Sequence, residues 1–382
     1  MQARAVSPVA LDCFAVAAPG LSPIVASELD RLGLATNQPS DAGVAFQASP
    51  SQLYLANLNL RVASRILVRL ATFHAAHFSE LEKGAAEIDW ERWLKRGSRI
   101  DLRVTCRKSR LYHSGAVADR LTDQLAHRGM DAQALSGLDE GTDGRSQLVV
   151  VRIDRDQCTV SLDSSGELLH RRGYRLATGK APLRETLAAA MLLASCPDPS
   201  LPVVDPMCGS GTIPIEAALR ARSIPPGLHR AFAFESWQEF DSGSWTRLRA
   251  EAVGSMSPRA PNPIVGSDRD AGAIASARAN AERAGVTDDV DFVQRPLSAA
   301  TAPVPRPGLV VANPPYGERV SSGKELRDLY ARLGDVIRRE FAGWAVGILA
   351  ADAKLISATR LPLTARFTTS NGGIRVQYWA MG

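Results

Sequence analysis

The sequence has few cysteines and no long apolar run, and these two absences exclude several classes of protein. Only 5 of its 382 residues are cysteine, and they are widely separated with no CxxC pair. Neither a disulfide framework nor a zinc knuckle is expected, and we predict no metal site. No stretch approaches the roughly 18 to 20 consecutive apolar residues that a membrane helix needs. The first apolar run stops at Pro19 and Gly20, too early for a signal peptide, so we expect a soluble cytoplasmic protein.

The composition indicates a globular chain with more than one domain. Hydrophobic residues make up 45% and charged residues 22%, a balance that argues against disorder. A chain of 382 residues exceeds what one core usually organises, so two or three domains are expected. The net charge of +5 does not by itself indicate a nucleic-acid partner, because many basic proteins bind none. The position of the charges is more informative than their sum.

The pattern of apolar residues divides the chain into two parts. Short strands and helices over 1–68 and 69–165 predict two small α+β units, with a long helix over 78–94. A polar, basic linker over 166–182 follows. From 183 to 382, strands alternate with helices, which predicts an α/β domain built on a parallel sheet.

Two features within this last part depart from simple alternation. The final strand candidates, 366–369 and 374–380, are adjacent, so we expect an antiparallel hairpin that makes the sheet mixed. The segment 225–263 is a long insertion, and we expect Trp237 and Trp245 to pin it to the core.

The segment 201–219, LPVVDPMCGSGTIPIEAAL, reads as an apolar strand, a glycine turn and a helix. Asp205 ends the strand, Gly209 and Gly211 permit a tight turn close to a ligand, and Thr212 can cap the helix. In an open α/β sheet such a turn binds nucleotide-like ligands. The alternative is an ordinary strand-to-helix turn. The segment lacks the Lys-Ser/Thr ending of a phosphate loop, which argues against a triphosphate.

A second acid, Asp268, stands at the end of the next strand. A carboxylate there can accept hydrogen bonds from both hydroxyls of a ribose. The alternative is that Asp268 or Asp270 only caps the helix that starts near Ala271. A nicotinamide cofactor is disfavoured, because Pro214 occupies the place of the third glycine in the dinucleotide pattern.

The tetrapeptide Asn313-Pro314-Pro315-Tyr316 directly follows the apolar strand 309–312. Two prolines stiffen the backbone and hold the preceding residues extended. Rigid acceptors at Asn313 and at the Pro314 carbonyl suit the methylation of an exocyclic amine, whose lone pair is delocalised into a ring. Tyr316 can stack on the base, a contact worth roughly 1–3 kcal/mol. A proline-rich turn without chemistry is the alternative.

In this order, the motifs resemble those of class I S-adenosylmethionine-dependent RNA methyltransferases with an N-terminal THUMP domain. DPMCGSGT at 205–212 is similar to the cofactor motif of the family, GSDRD at 266–270 to its ribose motif, and NPPYGER at 313–319 to its catalytic motif. The resemblance implies a ferredoxin-like and THUMP region followed by a Rossmann-like domain. It also implies S-adenosyl-L-methionine as cofactor, held by Asp205, Met207, Cys208, Gly209, Gly211, Thr212, Asp268 and Arg269.

The same resemblance extends to a basic span within the predicted THUMP unit. Arg107, Lys108, Arg110, Tyr112 and His113 suit phosphate contacts in RNA, although arginines and lysines on a solvated face are also common. A second set of cations in the linker could extend this track toward the catalytic motif: Arg171, Arg172 and Arg175.

The implied substrate is the exocyclic N2 of a guanosine in large-subunit ribosomal RNA, and a monomer is expected. A tRNA guanosine methyltransferase is the nearest alternative. An adenine N6 methyltransferase, a protein glutamine methyltransferase and an inactive RNA-binding protein are further ones. The run 294–297, QRPL, lacks the acidic residue that the family usually has after this strand, so the contact to the adenine amino group is left open.

Overall fold

In the computed structural model, which describes residues 10–135, 146–175, 183–195, 198–316 and 323–382, the N-terminal half of the chain forms one seven-stranded sheet. The strand order is β2-β1-β3-β7-β6-β4-β5. The strands are β1 (Leu11–Val16), β2 (Gly43–Ala48), β3 (Arg65–His74), β4 (Arg99–Arg107), β5 (Asp131–Ala134), β6 (Gln147–Asp154) and β7 (Gln157–Asp163). The helices are α1 (Ser22–Arg31), α2 (Pro50–Asn59), α3 (Phe78–Ala86) and α4 (Ser114–His127).

The strand β3 joins the two predicted N-terminal units. It is ten residues long and pairs with β1 through Cys13↔Val68 and with β7 through Leu67↔Asp163. The limit predicted at residue 68 therefore falls inside a continuous strand. Because Leu67 and Val68 pair with both β1 and β7, the two units share one sheet instead of two separate ones.

The helix predicted over 78–94 is too long. Helix α3 ends at Ala86, and a short 3-10 helix, Trp90–Arg92, follows after a turn. The Asp89 side chain caps this second piece by accepting a hydrogen bond from the Arg92 backbone N–H. The apolar residues Trp90 and Trp93 are both buried although the helix ends before them.

The C-terminal half carries the second seven-stranded sheet, in the order β10-β9-β8-β11-β12-β14-β13. Its strands are β8 (Val203–Asp205), β9 (Ile264–Asp268), β10 (Val290–Gln294), β11 (Leu309–Ala312), β12 (Ala345–Ala350), β13 (Thr364–Asn371) and β14 (Ile374–Met381). Its helices are α5 (Glu185–Ser195), α6 (Thr212–Ala221), α7 (Ser242–Gly254), α8 (Ala271–Arg283), α9 (Gly323–Glu340) and α10 (Ala353–Ala358).

This second sheet confirms the predicted Rossmann-like domain with a mixed sheet and a C-terminal hairpin. Strands β8 to β12 are parallel, whereas β14 runs antiparallel to β12 and β13 antiparallel to β14. Strand β8 lies between β9 and β11. After β8 the chain adds β9 and β10 on one side of it, and then crosses over to add β11 and β12 on the other side. A crevice opens at the carboxyl edge of such a sheet, at the point where the strand order reverses. No described helix is long and apolar enough to cross a membrane.

The aromatic residues of the insertion at 225–263 pack against the N-terminal half. The Trp245 ring lies edge-on to Tyr54 of α2, with 6.2 Å between the ring centroids. The Trp237 ring lies edge-on to Trp93, and its Nε1 donates a hydrogen bond of 2.8 Å to Gln147 Oε1. Both tryptophans are buried, as predicted, and they fasten the two halves of the molecule to each other.

Trp245→Ala is expected to lower the free energy of unfolding by about 3–5 kcal/mol, the usual cost of truncating a buried tryptophan. Val253→Ala on the same helix is the matched control, because Val253 is 49% exposed. Its effect is expected to stay within about 0.5 kcal/mol. Urea denaturation followed by circular dichroism measures both. Equal losses in the two variants would show that Trp245 does not anchor the insertion.

Candidate active site

A cleft of about 820 Å³ opens at the carboxyl edge of the second sheet. It brings together side chains predicted from three separate motifs: Met207 from the glycine turn, Asp268 and Arg269 from the second motif, and Pro315 from the proline motif. The loop after β10 and one face of α9 complete the wall, through Pro296, Leu297, Ser298, Glu325, Asp328 and Arg332.

The two glycines of the first turn serve different purposes. Both have positive φ, +51° at Gly209 and +84° at Gly211, which favours glycine at each position. A Cβ on Gly209 would meet no atom within 4 Å, so the turn is open there. A Cβ on Gly211 would lie 2.8 Å from Phe292 Cζ and 2.9 Å from Ala277 Cβ. Gly211 is therefore needed for the packing of this turn against β10 and α8, while its role in the approach of a ligand stays a prediction.

The carboxylate of Asp268 locks the glycine turn to the second motif. Its Oδ2 accepts a 3.0 Å hydrogen bond from the Gly209 N–H, and its Oδ1 accepts one of 3.0 Å from the Asp270 N–H. Asp270, in contrast, caps α8 by accepting from the Gly272 and Ala273 N–H groups. The capping alternative thus holds for Asp270, while Asp268 links two turns at the edge of the cleft.

The predicted capping role of Thr212 is wrong. Gly211 is the N-cap residue of α6, and Thr212 is the first residue of the helix. The Thr212 hydroxyl instead accepts a 2.6 Å hydrogen bond from Nη2 of Arg175, 37 residues earlier in the chain. This contact is non-local, so the local pattern that predicted the cap could not indicate it.

Asp205 and Cys208 support the turn from the interior. The Asp205 side chain is only 1% exposed, and its Oδ1 accepts a 3.1 Å hydrogen bond from the Met207 N–H. Burial, reinforced by the nearby charge of Asp268, raises the pKa of Asp205 to about 8. Burial likewise raises the pKa of the Cys208 thiol far above its usual value. Neither side chain is among those that line the cleft, so their contacts with a cofactor stay a prediction.

The proline motif begins where β11 ends. Asn313 is half-buried, and its Oδ1 is buried without a hydrogen-bond partner among the described residues. Pro314 is buried, whereas Pro315 faces the cleft. The Tyr316 hydroxyl accepts a 2.8 Å hydrogen bond from Nδ2 of Asn371, and burial raises the pKa of Tyr316. Residues 317–319, which complete the resemblance to the family motif, lie outside the described residues.

The basic span of the first half is exposed at the end of β4. Arg107, Lys108, Arg110 and Tyr112 all face solvent, and Tyr112 is 81% exposed. The turn between β6 and β7 lies beside it, because the Arg155 N–H donates a 3.1 Å hydrogen bond to the Arg107 carbonyl. Arg155 is also exposed and adds a cation that the sequence pattern missed, since it lies in a different turn.

His113, the fifth predicted residue of this span, is exposed as well, but it has a structural contact. Its Nδ1 accepts a 3.2 Å hydrogen bond from the Ala116 N–H at the start of α4. His113 is thus an N-cap residue of α4.

The prediction that the linker arginines extend the RNA-binding track is wrong for two of the three residues. Arg171 is exposed and pairs with Glu167 at 3.4 Å, but Arg172 is 4% exposed and its Nε lies 3.5 Å from Glu216 Oε1. The guanidinium of Arg175 is also largely buried, beside Glu185 at 3.2 Å and the Thr212 hydroxyl. An RNA phosphate cannot reach these two guanidinium groups in this arrangement. Arg172 and Arg175 connect parts of the protein and do not extend the basic track.

The matches to known domain families follow the same division of the chain. A ferredoxin-like domain of the RlmL type matches residues 12–67, and a THUMP domain matches 75–163. The RMKL-like methyltransferase domain matches 172–379, more than half of the chain. The chain belongs to this methyltransferase family. The resemblance drawn from the motifs is thereby confirmed.

Individual relatives agree with this assignment. A relative from Synechocystis sp., slr0064, which is named as an RNA methyltransferase, is 34% identical over 94% of both chains. The ribosomal RNA large subunit methyltransferase K/L of Methylococcus capsulatus is 37% identical over 96% of this chain, and the chain spans about half the length of that protein (50%).

Two solved structures cover nearly the whole chain. SMU.472 complexed with SAH has a TM-score of 0.86 and 31% identity, over 97% of this chain and 98% of its own. A predicted N6-adenine-specific DNA methylase from Listeria monocytogenes has a TM-score of 0.82 and 33% identity, over 97% and 96%. The SAH complex supports the prediction of S-adenosylmethionine as the cofactor of this methyltransferase fold.

The cleft itself suits that cofactor. Its volume lies within the range of roughly 300–1,000 Å³ that is usual for small-molecule sites. The space left open beside Gly209 and the carboxylate of Asp268 provide a close backbone approach and a hydrogen-bond acceptor. Glu325 and Asp328 of α9 add two carboxylates to the lining of the cleft, whereas the QRPL run contributes no carboxylate. Among the described residues, no group of three or more His, Cys, Asp or Glu is placed to hold a metal ion.

The buried carboxyl of Asp205 predicts a specific pH dependence of stability. Because its pKa in the folded protein, about 8, exceeds the unfolded value of about 3.9, the protonated form favours folding. This stabilisation is complete below about pH 4 and is lost as the pH rises through about 8. Asp205→Asn cannot ionise but still accepts from Met207, so the loss over this pH interval should become smaller.

Urea denaturation at a series of pH values measures this effect. The exposed variant Asp291→Asn serves as control and is expected to keep the wild-type profile. If Asp205→Asn lost stability over pH 4–8 as steeply as the wild type, the carboxyl of Asp205 would not be the titrating group.

Proposed function

We propose that this protein acts as a monomeric RNA methyltransferase, transferring a methyl group from S-adenosylmethionine to the exocyclic N2 of a guanosine, most directly in large-subunit ribosomal RNA. The observation that carries the proposal is the buried, unpartnered Oδ1 of Asn313. It lies two residues from Pro315, which lines the same cleft as Met207 and Asp268. An acceptor that is desolvated but unused within the described protein is suited to a donor on a substrate.

The reacting amine of guanine is a weak nucleophile because its lone pair is delocalised into the ring. S-adenosylmethionine supplies an electrophilic methyl group on a sulfonium. Asn313 Oδ1 and the Pro314 carbonyl accept hydrogen bonds from the two amine protons, which increases the electron density on nitrogen. Their rigid placement after β11 stabilises the developing charge without reorganisation. Tyr316 stacks on the base that has left its helix.

The described residues favour this direct transfer over a covalent route. Methylation at C5 of a pyrimidine needs a cysteine nucleophile. The segment 313–322 contains no cysteine, and Cys208, in the glycine turn, is buried with a raised thiol pKa. A neutral, buried thiol is a poor nucleophile.

The N-terminal half supplies the affinity for RNA in this proposal. The exposed cations Arg107, Lys108, Arg110 and Arg155 contact phosphates, and the exposed Tyr112 ring stacks on an unpaired base. This surface falls within the segment that matches a THUMP domain. The names of two relatives, an RNA methyltransferase and a ribosomal RNA large subunit methyltransferase, support RNA as the substrate. We place the functional units at 1–68, 69–165 and 183–382, joined by the linker 166–182.

Methylation of adenine N6 is the second candidate. Its amine is also conjugated with a ring, so Asn313 Oδ1 could accept from it in the same way. One structural relative is named as a DNA methylase of this specificity. The basic, THUMP-type N-terminal half favours RNA over DNA, and it equally disfavours a protein glutamine as substrate.

Nucleoside analysis tests the proposal and separates it from its alternatives. The protein is incubated with S-adenosylmethionine labelled in the methyl group, in parallel with unmodified ribosomal RNA, tRNA, DNA and a release factor. We expect label in N2-methylguanosine from ribosomal RNA. Label only in tRNA, in N6-methyladenine or in the release factor would overturn the substrate. Cofactor and RNA binding without transfer would identify an inactive RNA-binding protein.

Asn313→Ala is expected to lower kcat for methyl transfer at least about 100-fold, a loss typical of removing one preorganised hydrogen-bonding group. Cofactor affinity, measured by calorimetry, should remain unchanged, because the Asn313 side chain is not among those lining the cofactor cleft. Asn37→Ala is the matched control, since Asn37 is exposed on the N-terminal half. Wild-type turnover by Asn313→Ala would remove Asn313 from the mechanism.

Reversing the charge at Arg107 and Lys108 is expected to weaken RNA binding and its salt dependence. Replacing both by Glu should lower the slope of log Kd against log salt by about 2, one unit for each phosphate that is no longer neutralised. The control replaces Arg259 and Lys354 by Glu, which changes the net charge by the same amount. Both residues are exposed on the C-terminal half. Filter binding at several salt concentrations measures both. Equal effects of the two pairs would show that RNA binding depends only on total charge.

A further inference from the structure

The C-terminal hairpin brings a polar side chain to the catalytic motif. Gly372 and Gly373, with φ of +56° and +82°, form the two-residue turn between β13 and β14, and Asn371 pairs with Ile374 across it. Strand β14 runs antiparallel to β12, whose last residue, Ala350, pairs with Gln377. The hairpin tip therefore extends beyond the carboxyl end of β12. This is the edge of the sheet at which the proline motif follows β11.

Asn371 contacts the catalytic motif directly. Its Nδ2 donates a 2.8 Å hydrogen bond to the hydroxyl of Tyr316. The residue is 4% exposed, and its Oδ1 is buried with no hydrogen-bond partner among the described residues. A buried amide that is only half satisfied costs free energy, so packing alone does not favour asparagine here. Its observed contact is with a residue that the proposed function places against the base.

This hydrogen bond completes the restraint of the Tyr316 ring. At its backbone end, Tyr316 follows two prolines whose φ angles are fixed. At its far end, the hydroxyl is held by Asn371. A change of χ1 would break this hydrogen bond, so the bond favours one orientation of the ring.

We infer that Asn371 is a positioning residue for methyl transfer, which holds the Tyr316 ring in the orientation that receives the target base. The inference rests on the proposed function, because it assumes that Tyr316 stacks on the substrate. Without the amide, the ring samples other rotamers and the competent fraction of the enzyme falls. Removing the amide therefore lowers the rate of methyl transfer and loosens the orientation of the bound base. The affinity for the cofactor stays the same.

A double-mutant cycle tests the inference, with methyl transfer to unmodified ribosomal RNA as the assay. Asn371→Ala is expected to lower kcat about tenfold, the change expected when one hydrogen bond is removed. The Kd and the KM for the cofactor should both stay unchanged. Tyr316→Phe keeps the ring but removes the acceptor. Because Asn371 acts through that hydroxyl, adding Asn371→Ala to Tyr316→Phe should cause no further loss.

Thr369→Val is the matched control. Thr369 precedes Asn371 by two residues on the same buried face of β13, and its Oγ1 also lacks a partner among the described residues. It is expected to keep wild-type kcat. Asn371→Leu, which retains the volume of the side chain, replaces Asn371→Ala if circular dichroism shows that the alanine variant does not fold.

An NMR measurement follows the hydrogen bond without relying on turnover. With ¹³Cζ-labelled tyrosine, the Tyr316 signal is assigned as the one that Tyr316→Phe removes. It should shift in Asn371→Ala and stay in place in Thr369→Val.

The outcomes separate the two levels of the hypothesis. If the wild-type protein is active, two results would overturn the inference alone. One is an unchanged kcat in Asn371→Ala, and the other is additive losses of kcat in the double variant. An unchanged Tyr316 signal in Asn371→Ala would also overturn it. A wild-type protein that methylates none of the RNAs would overturn the proposed function, and this inference with it.

Discussion

The buried guanidinium of Arg172 is the group on which the arrangement of the two halves depends. It donates hydrogen bonds to the carbonyls of Leu169 and Arg61, and it lies 3.5 Å from Glu216 of α6. Tyr174 donates a 3.1 Å hydrogen bond to the same carboxylate. A buried charge is tolerated only when it is paired and hydrogen-bonded, so loss of any partner would leave another uncompensated. Arg172 thereby connects the N-terminal half, the linker and helix α6, which follows the glycine turn.

A second set of contacts holds α6 from its other end. Glu28 accepts hydrogen bonds from the Arg61 and Val62 N–H groups, at 2.9 and 3.1 Å. Nη2 of Arg61 in turn donates a 2.7 Å hydrogen bond to the Ile224 carbonyl, just after α6 ends. Burial raises the pKa of Glu28 and lowers the pKa of Arg61. Since α6 begins at the glycine turn and ends against the N-terminal half, the turn is held in a defined position relative to that half.

The candidate active site likewise depends on hydrogen bonds that hold its side chains in fixed positions. Asp268 joins the first two motifs through the Gly209 N–H, and Asn371 restrains Tyr316 of the third. The prolines between Asn313 and Tyr316 stiffen the part of the backbone that no described secondary structure supports. Catalysis by orientation requires this rigidity, because an acceptor that moves provides little stabilisation to the transition state.

Much of this could be predicted from the order of residues alone. The glycine turn, the acid at the end of β9 and the tetrapeptide after β11 were recognisable because the conformation of a glycine, the stiffness of a proline and the periodicity of apolar residues are local properties. The alternation of strands and helices then placed these motifs at one edge of one parallel sheet. The mixed sheet and its terminal hairpin followed from the same pattern.

What only the tertiary structure decided are the contacts between distant residues. Arg172 and Arg175 have the same local appearance as the exposed Arg171, yet both are buried, because their partners Glu216 and Thr212 come from α6, 44 and 37 residues further on. Asn371 meets Tyr316 across 55 residues, as the hairpin folds back along β12. Burial and pairing depend on which surfaces pack together. Local sequence specifies the elements and their motifs, and only the packing of the elements determines which charges and amides face each other.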